Sequence, residues 1–332
     1  MRSTPKAVRA LAVAGALAVA LAACSSQGGA AQNAPSSGAP AVGSAGGKQY
    51  TIAMVTHEAP GDSFWDKVRA GAEQAAKELN VNLKYSNNND AGQQATLIQN
   101  AIDSKVDGLA VTLAYADQVG PAAKKAVDAK IPTVAFNSGI NDYQKYGISM
   151  YFGSDETVAG QALGQKLTAA GPGKAICVLQ EQGSVALEAR CAGVKATFPN
   201  TENLQVNGTD LPSVQQTIGA KLQQDPSIAY VVTLGAPIAL AALQAAQGGS
   251  SKAKVATFDL NADVAKQIQS GGILFSIDQQ PYVQGYMAVQ SLWLNLTNGN
   301  DLGGGKPVLT GPSFVDKSNV DKIATYAANN TR

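Results

Sequence analysis

Side chains able to contact a small molecule collect directly after short apolar runs. His57, Asp62, Phe64 and Trp65 follow TIAMVT, and Asn137 and Ser138 end and follow PTVAFN. Gly235 follows YVVTL, Asp259 follows KVATF, and Asp278, Gln279 and Gln280 follow ILFSI. Arg190 adds a guanidinium inside ALEARCAGV, a stretch that otherwise needs no charge. Polyhydroxylated molecules suit this mixture. Each hydroxyl both donates and accepts, so carboxylates, amides and guanidinium groups pair with it in forks. The C–H faces of a sugar ring stack on aromatic side chains.

Catalytic chemistry lacks parts. The chain has one histidine and no GxSxG elbow, which leaves a hydrolase triad or a histidine-based metal site incomplete. No GxxxxGK[ST] phosphate loop occurs, and no GxGxxG loop follows a strand, so no nucleotide, cofactor or metal is expected. Asp62, Asp259 and Asp278 leave one enzymatic alternative, an exported enzyme acting on sugars through paired carboxylates.

The elements that hold these residues follow from periodicity. YTIAMVT is a short β-branched run, hence a buried strand. DSFWDKVRAGAEQAAKELN places Phe64, Val68, Ala72, Ala75, Ala76 and Leu79 at helical spacing, with Asp62 or Ser63 as N-cap. The alternation continues to the end of the chain, with ISMYFG opening a second round and SFVDK as a late strand. Such alternation predicts parallel sheets covered by helices on both faces. About ten βα units exceed one modest sheet, so the fold class is α/β with two doubly wound lobes. A barrel is the alternative, but eight units would already close it. Asp278 and Gln280 read as hinge residues satisfying backbone groups, beside Gln279 as a ligand contact. Pro281 starts a long helix where its missing N–H is harmless.

The 332 residues suffice for two domains. Residues 1–23 read as a secretory signal, with Arg2, Lys6 and Arg9 ahead of LAVAGALAVALAA. Leu21-Ala22-Ala23-Cys24 resembles a bacterial lipobox, which implies cleavage before Cys24 and lipidation of its thiol. Residues 24–48 then form a flexible tether, since Val42 is their one large apolar residue. Without the three basic leader residues, 22 Lys+Arg face 24 Asp+Glu, a charge near −2. That balance predicts no nucleic-acid binding and membrane contact through the lipid alone. Cys177 and Cys191 fit neither a CxxC pair nor a zinc pattern. In an exported chain they are expected as a disulfide between a strand and the next helix, with two buried thiols as the alternative.

Together, GDSFWDKVRAGAEQAAKELN, IPTVAFNSG, ALEARCAGV, VATFDLNAD and IDQQPYVQGY make Gln49 to Lys317 resemble the ribose-binding type of solute-binding protein, from bacterial ABC sugar importers. The resemblance implies two Rossmann-like lobes joined by three crossing segments, with the sugar bound between them. The lobes would be 49–153 plus 280–308, and 154–279 plus 309–332. It implies a monomer that delivers its ligand to permease subunits at the outer face of the cell membrane. Carried over residue by residue, the pocket positions fall on His57, Asp62, Phe64, Trp65, Asn137, Ser138, Arg190, Gly235, Asp259 and Gln279. Asn137, Ser138 and Gly235 depart from the ribose pattern, removing a carboxylate, a guanidinium and an amide. A larger or differently hydroxylated ligand is therefore expected, such as a hexose, cyclitol or polyol. A nucleoside or furanosyl signal molecule, or a sensory role upstream of a histidine kinase, are the alternatives within the family.

Overall fold

A computed structural model of the chain describes residues 47–332. The expected signal peptide, Cys24 and nearly all of the tether lie outside these residues. The first five strands are β1 (Thr51–Thr56), β2 (Asn82–Asn87), β3 (Gly108–Val111), β4 (Thr133–Phe136) and β5 (Met150–Ser154). Interleaved helices are α1 (Phe64–Glu78), α2 (Ala91–Asp103) and α3 (Ala116–Asp128). The second set is β6 (Lys174–Leu179), β7 (Thr201–Gln205), β8 (Ile228–Thr233), β9 (Lys254–Phe258) and β10 (Ile273–Asp278). Its helices are α4 (Glu156–Ala170), α5 (Val185–Thr197), α6 (Leu211–Gln224), α7 (Ala236–Gly248) and α8 (Ala262–Ser270). The chain ends with α9 (Pro281–Asn298), β11 (Val308–Gly311), β12 (Ser313–Asp316) and α10 (Val320–Ala328).

Two six-stranded sheets result, ordered β2-β1-β3-β4-β5-β11 and β7-β6-β8-β9-β10-β12. These are two Rossmann-like lobes with one strand order. Every pairing is parallel except β10 with β12. ISMYFG, which opens the second round of the alternation, forms β5, which pairs with β4 and completes the first sheet inside the expected first-lobe bounds. One detail differs from the sequence expectation. Leu309 to Gly311 pair with β5, so the third crossing falls at Gly311–Pro312 and not before Leu309. Strand partners lie far apart in sequence, and periodicity carries no information about them.

Each sheet is packed on both faces. In β1, Ile52 and Met54 enter one core with Val68, Phe136 and Leu292, while Ala53 and Val55 enter the other with Ile98 and Val119. This is the period-2 alternation of a strand covered twice. Glycines bring the helices that carry functional residues into backbone contact. A Cβ at Gly71 of α1 would lie 2.0 Å from the Tyr282 carbonyl oxygen of α9, and one at Gly160 of α4 would lie 2.2 Å from that of Arg190 in α5. Among the described residues no helix is long and apolar enough to cross a membrane.

Candidate functional site

Both sheets change strand direction of travel at one place, between β1 and β3 and between β6 and β8, where ligands of open α/β sheets bind. The strand ends of both lobes face each other there. Asn137 after β4 and Asp259 after β9 hold the left-handed conformation, with φ of 64° and 65°. Asparagine and aspartate tolerate that region better than other residues with a Cβ. Each backbone N–H donates to the next strand, Asn137 to the Phe152 carbonyl at 2.8 Å and Asp259 to the Ile277 carbonyl at 2.9 Å. Two lobes thus aim an amide and a carboxylate by the same local geometry.

The first-lobe wall is aromatic. Phe64 and Trp65 open α1 and are 5% and 2% exposed. They meet edge to face at 5.1 Å between centroids, and His57 meets Trp65 the same way at 4.8 Å. Asp62 Oδ1 accepts from Phe64 N–H at 3.0 Å, so Asp62 supports the helix start while it lines the pocket. The tautomer of His57 follows from a hydrogen-bond count. Thr112 Oγ accepts from His57 N–H at 3.1 Å and from Gln94 Nε2 at 3.1 Å, which fills its accepting capacity. Its own O–H therefore donates to His57 Nδ1, 2.7 Å away, and the proton sits on Nε2, facing the second lobe. Burial, helped by the charge of Arg190, pushes the His57 pKa down to about 3. The ring is neutral, so its 3.9 Å approach to Glu181 is a polar contact and not an ion pair.

The second-lobe wall is charged. Arg190 and Glu156 are each 3% exposed and form a fork, with Nε to Oε2 at 2.6 Å and Nη2 to Oε1 at 3.1 Å. Nη1 donates to the Leu234 carbonyl at 3.1 Å, and the guanidinium lies 4.6 Å from the Phe258 ring centroid. Three of its five N–H groups are used, leaving two for a ligand. Gln279 Nε2 donates to Asp259 Oδ1 at 2.5 Å. Asp259 is not the cap of α8, because Asn261 Oδ1 accepts from Val264 N–H at 2.8 Å. Burial first, and the neighbouring Asp62 as well, raise the Asp259 and Glu181 carboxyls each to about 7. Asp62 is raised too, chiefly by burial.

Nine of the ten expected pocket residues line one small cavity between these walls, enclosing about 30 Å³. Gly235 is the exception. It sits in the wall of a neighbouring chamber of about 330 Å³, which shares Asp62, Gln180 and Glu181 with the cavity. The chemistry concentrates in the small cavity. There Gln279 Oε1, Gln180 Oε1 and Ser184 Oγ are buried without a protein partner, a costly state unless something polar meets them. Gln180, Glu181 and Ser184 also line the cavity, and Glu156 stands behind Arg190; sequence reasoning named none of the four. Gln180 and Glu181 follow β6 as His57 follows β1, so reading the end of every strand would have found them. Glu156 carried no such signal, being 34 residues from its partner.

Three crossing segments meet beside the site. Asp278 Oδ1 accepts from Gln280 N–H at 2.8 Å, and Gln280 Nε2 donates to the Thr310 carbonyl at 2.6 Å. Buried Gln284 accepts from Asn137 Nδ2 at 3.3 Å and donates to the Gln279 carbonyl and Thr310 Oγ at 3.2 and 3.1 Å. Across the cleft, Val185 N–H donates to the Ala114 carbonyl at 2.9 Å. Cys177 and Cys191 are joined, with Cα atoms 5.8 Å apart, tying β6 to the helix that carries Arg190.

A family described as periplasmic binding protein domain matches residues 52–301. This chain belongs to that family. Its members and these structural neighbours are substrate-binding proteins of transporters, not enzymes. The solved structure of a carbohydrate transporter from Acidothermus cellulolyticus 11B, in complex with myo-inositol, is 55% identical, with a TM-score of 0.85, over 86% of this chain and all (100%) of that one. An ABC-transporter solute-binding protein from Burkholderia graminis C4D1M, in complex with D-arabinose, is 24% identical with a TM-score of 0.74, over 82% of this chain and 96% of that one. At that identity it shows the shared fold. A xylose/arabinose-binding protein from Sulfolobus acidocaldarius is 23% identical over 291 residues, 82% of this chain and 72% of its own length.

Proposed function

We propose that this periplasmic binding protein takes a cyclitol, myo-inositol foremost, and hands it to the permease of an ABC importer. One observation carries the reading. Unpartnered buried acceptors (Gln279 Oε1 and Ser184 Oγ) and two free Arg190 N–H groups converge with Asp259 and Asn137 on a cavity walled by Phe64 and Trp65. A ring bearing a hydroxyl on every carbon would meet such groups on all sides. The 55% identical neighbour in complex with myo-inositol supports the choice of ring. Asp259, Arg190, Gln279, Asn137 and Asp62 would bond hydroxyls, His57 Nε2–H would donate, and Phe64 and Trp65 would stack. The absence of long side chains at Ser138 and Gly235 fits a ligand other than ribose.

The cavity of about 30 Å³ has room for a water or two, so a ring enters only when the lobes part. Opening would break the Val185–Ala114 contact and turn about the three crossings, two of which Gln284 holds through the Gln279 carbonyl and Thr310 Oγ. A ligand touching both walls then favours the closed form by its differential affinity, and the closed form docks on the permease. Lipidation at Cys24 would hold the receptor at the outer membrane face. A thermal-shift screen of pentoses, hexoses, inositols and sugar alcohols tests the ligand. Myo-inositol should give the largest rise in melting temperature, and ribose as the only hit would refute the reading. Loss of membrane retention in Cys24→Ala tests the anchor.

A further inference from the structure

We propose that the chamber beside the pocket is a second subsite, which takes an uncharged sugar residue attached to the ring in the pocket. This deepens the cyclitol reading and rests on it. At about 330 Å³ the chamber falls within the ~300–1,000 Å³ of sites that hold whole small molecules. It joins the pocket through Asp62, Gln180 and Glu181, which belong to both, so a substituent on a bound ring would pass between them.

Its lining has the chemistry of a sugar subsite. Tyr115, Pro60 and Pro237 present flat or apolar surfaces to C–H faces, and Asn89, Asn207 and Gln180 present amides to hydroxyls. Gln180 Oε1 is buried without a partner, an acceptor waiting at the junction. Charge sets the class of substituent. Asp62 and Glu181 guard the passage, while Arg190 is engaged by Glu156 and Lys67 by the Ser63 carbonyl at 3.0 Å. No Lys or Arg lines the chamber itself, so a phosphate or uronate there would meet two carboxyl groups and no cation, and the substituent is neutral.

Gly235 makes the space. It precedes α7 in extended backbone, φ −164°, which any residue adopts, so no conformational demand explains a glycine there. A Cβ would point at Gln180, 3.1 Å from its Nε2, and a longer side chain would fill the passage.

Calorimetry on the purified protein tests this with the parent ring that the screen above identifies. For myo-inositol, the probes are the six mono-O-glucosyl derivatives, one per ring oxygen. At least one should bind within tenfold of myo-inositol or tighter. Gly235→Asn should lower the affinity ratio of that glucoside to myo-inositol at least tenfold. Leu211→Trp, at an exposed position of the chamber wall (39%), should do the same should the glycine variant fold poorly. All six glucosides binding more than tenfold weaker than the parent, or ratios unchanged in both variants, would overturn the subsite. Failure of every parent ring to bind would instead overturn the site reading beneath it.

Discussion

In the first lobe the residue after β4 is Asn137, and in the second the residue after β9 is Asp259. Both adopt the left-handed conformation and both donate to the following strand. Around Asn137 stand neutral groups: Ser138 Oγ donates to its Oδ1 at 2.8 Å, Gln284 accepts from its Nδ2, and the aromatic trio of His57, Phe64 and Trp65 completes the wall. Around Asp259 stand Arg190, Glu156 and Glu181. One duplicated scaffold therefore offers a stacking wall and an electrostatic wall. The difference lies in side chains, because the backbone geometry that aims them is common to both.

The contrast can be tested from its strongest element downward. Glu156→Ala would leave Arg190 buried without its counter-charge. Unpairing such a group costs about 3–5 kcal/mol, which denaturant unfolding should register. A loss under 1 kcal/mol would mean that the second wall is not held by its ion pair. Next comes binding. Glycine substitutions keep the left-handed backbone, so Asp259→Gly and Asn137→Gly compare the two walls cleanly. The first should weaken ligand binding by about 1.5–3 kcal/mol and the second by about 0.5–1.5 kcal/mol, the ranges for charged and neutral hydrogen bonds. Equal losses by calorimetry would erase the distinction.

The pH profile should separate the walls as well, with an effect between those two. Burial raises Asp259 from 3.8 and Glu181 from 4.5, each to about 7. The folded protein therefore keeps protons that the unfolded chain releases. These groups favour folding below about pH 4, and that contribution is lost as pH rises through about 7. Ligand hydroxyls act in the opposite sense, since they donate to the ionised carboxylate and favour it. Binding should expel a proton, and affinity should rise about tenfold, ~1.4 kcal/mol, per carboxyl between pH 6 and 8. His57 stays neutral throughout, with its pKa near 3, so on the first wall only Asp62, raised chiefly by burial, can add to the slope. Asp259→Asn should remove one of the two tenfold steps and leave that of Glu181, and a flat profile in the unmodified protein would remove ionisation from the mechanism.

The sequence by itself determined the repeated βα units and the place, just after a strand, of eight of the nine candidates that line the cavity; the ninth, Arg190, lies inside α5. Both are local: strand and helix periods lie within a few residues, and in a parallel sheet the carboxyl end of a strand is a functional position whatever its neighbours. The sequence also pointed to Cys177 and Cys191, 14 residues apart, which meet in the structure. Tertiary structure alone decided that the whole of β11 joins the first sheet, because pairing joins segments such as Phe152 and Val308 with no shared pattern. It alone coupled Arg190 to Glu156 and tied two of the crossings, at Gln279 and Thr310, to Gln284. It also moved Gly235 from the pocket to the chamber. A glycine in the sequence is a missing side chain, and only the packed molecule shows what occupies the space that it leaves.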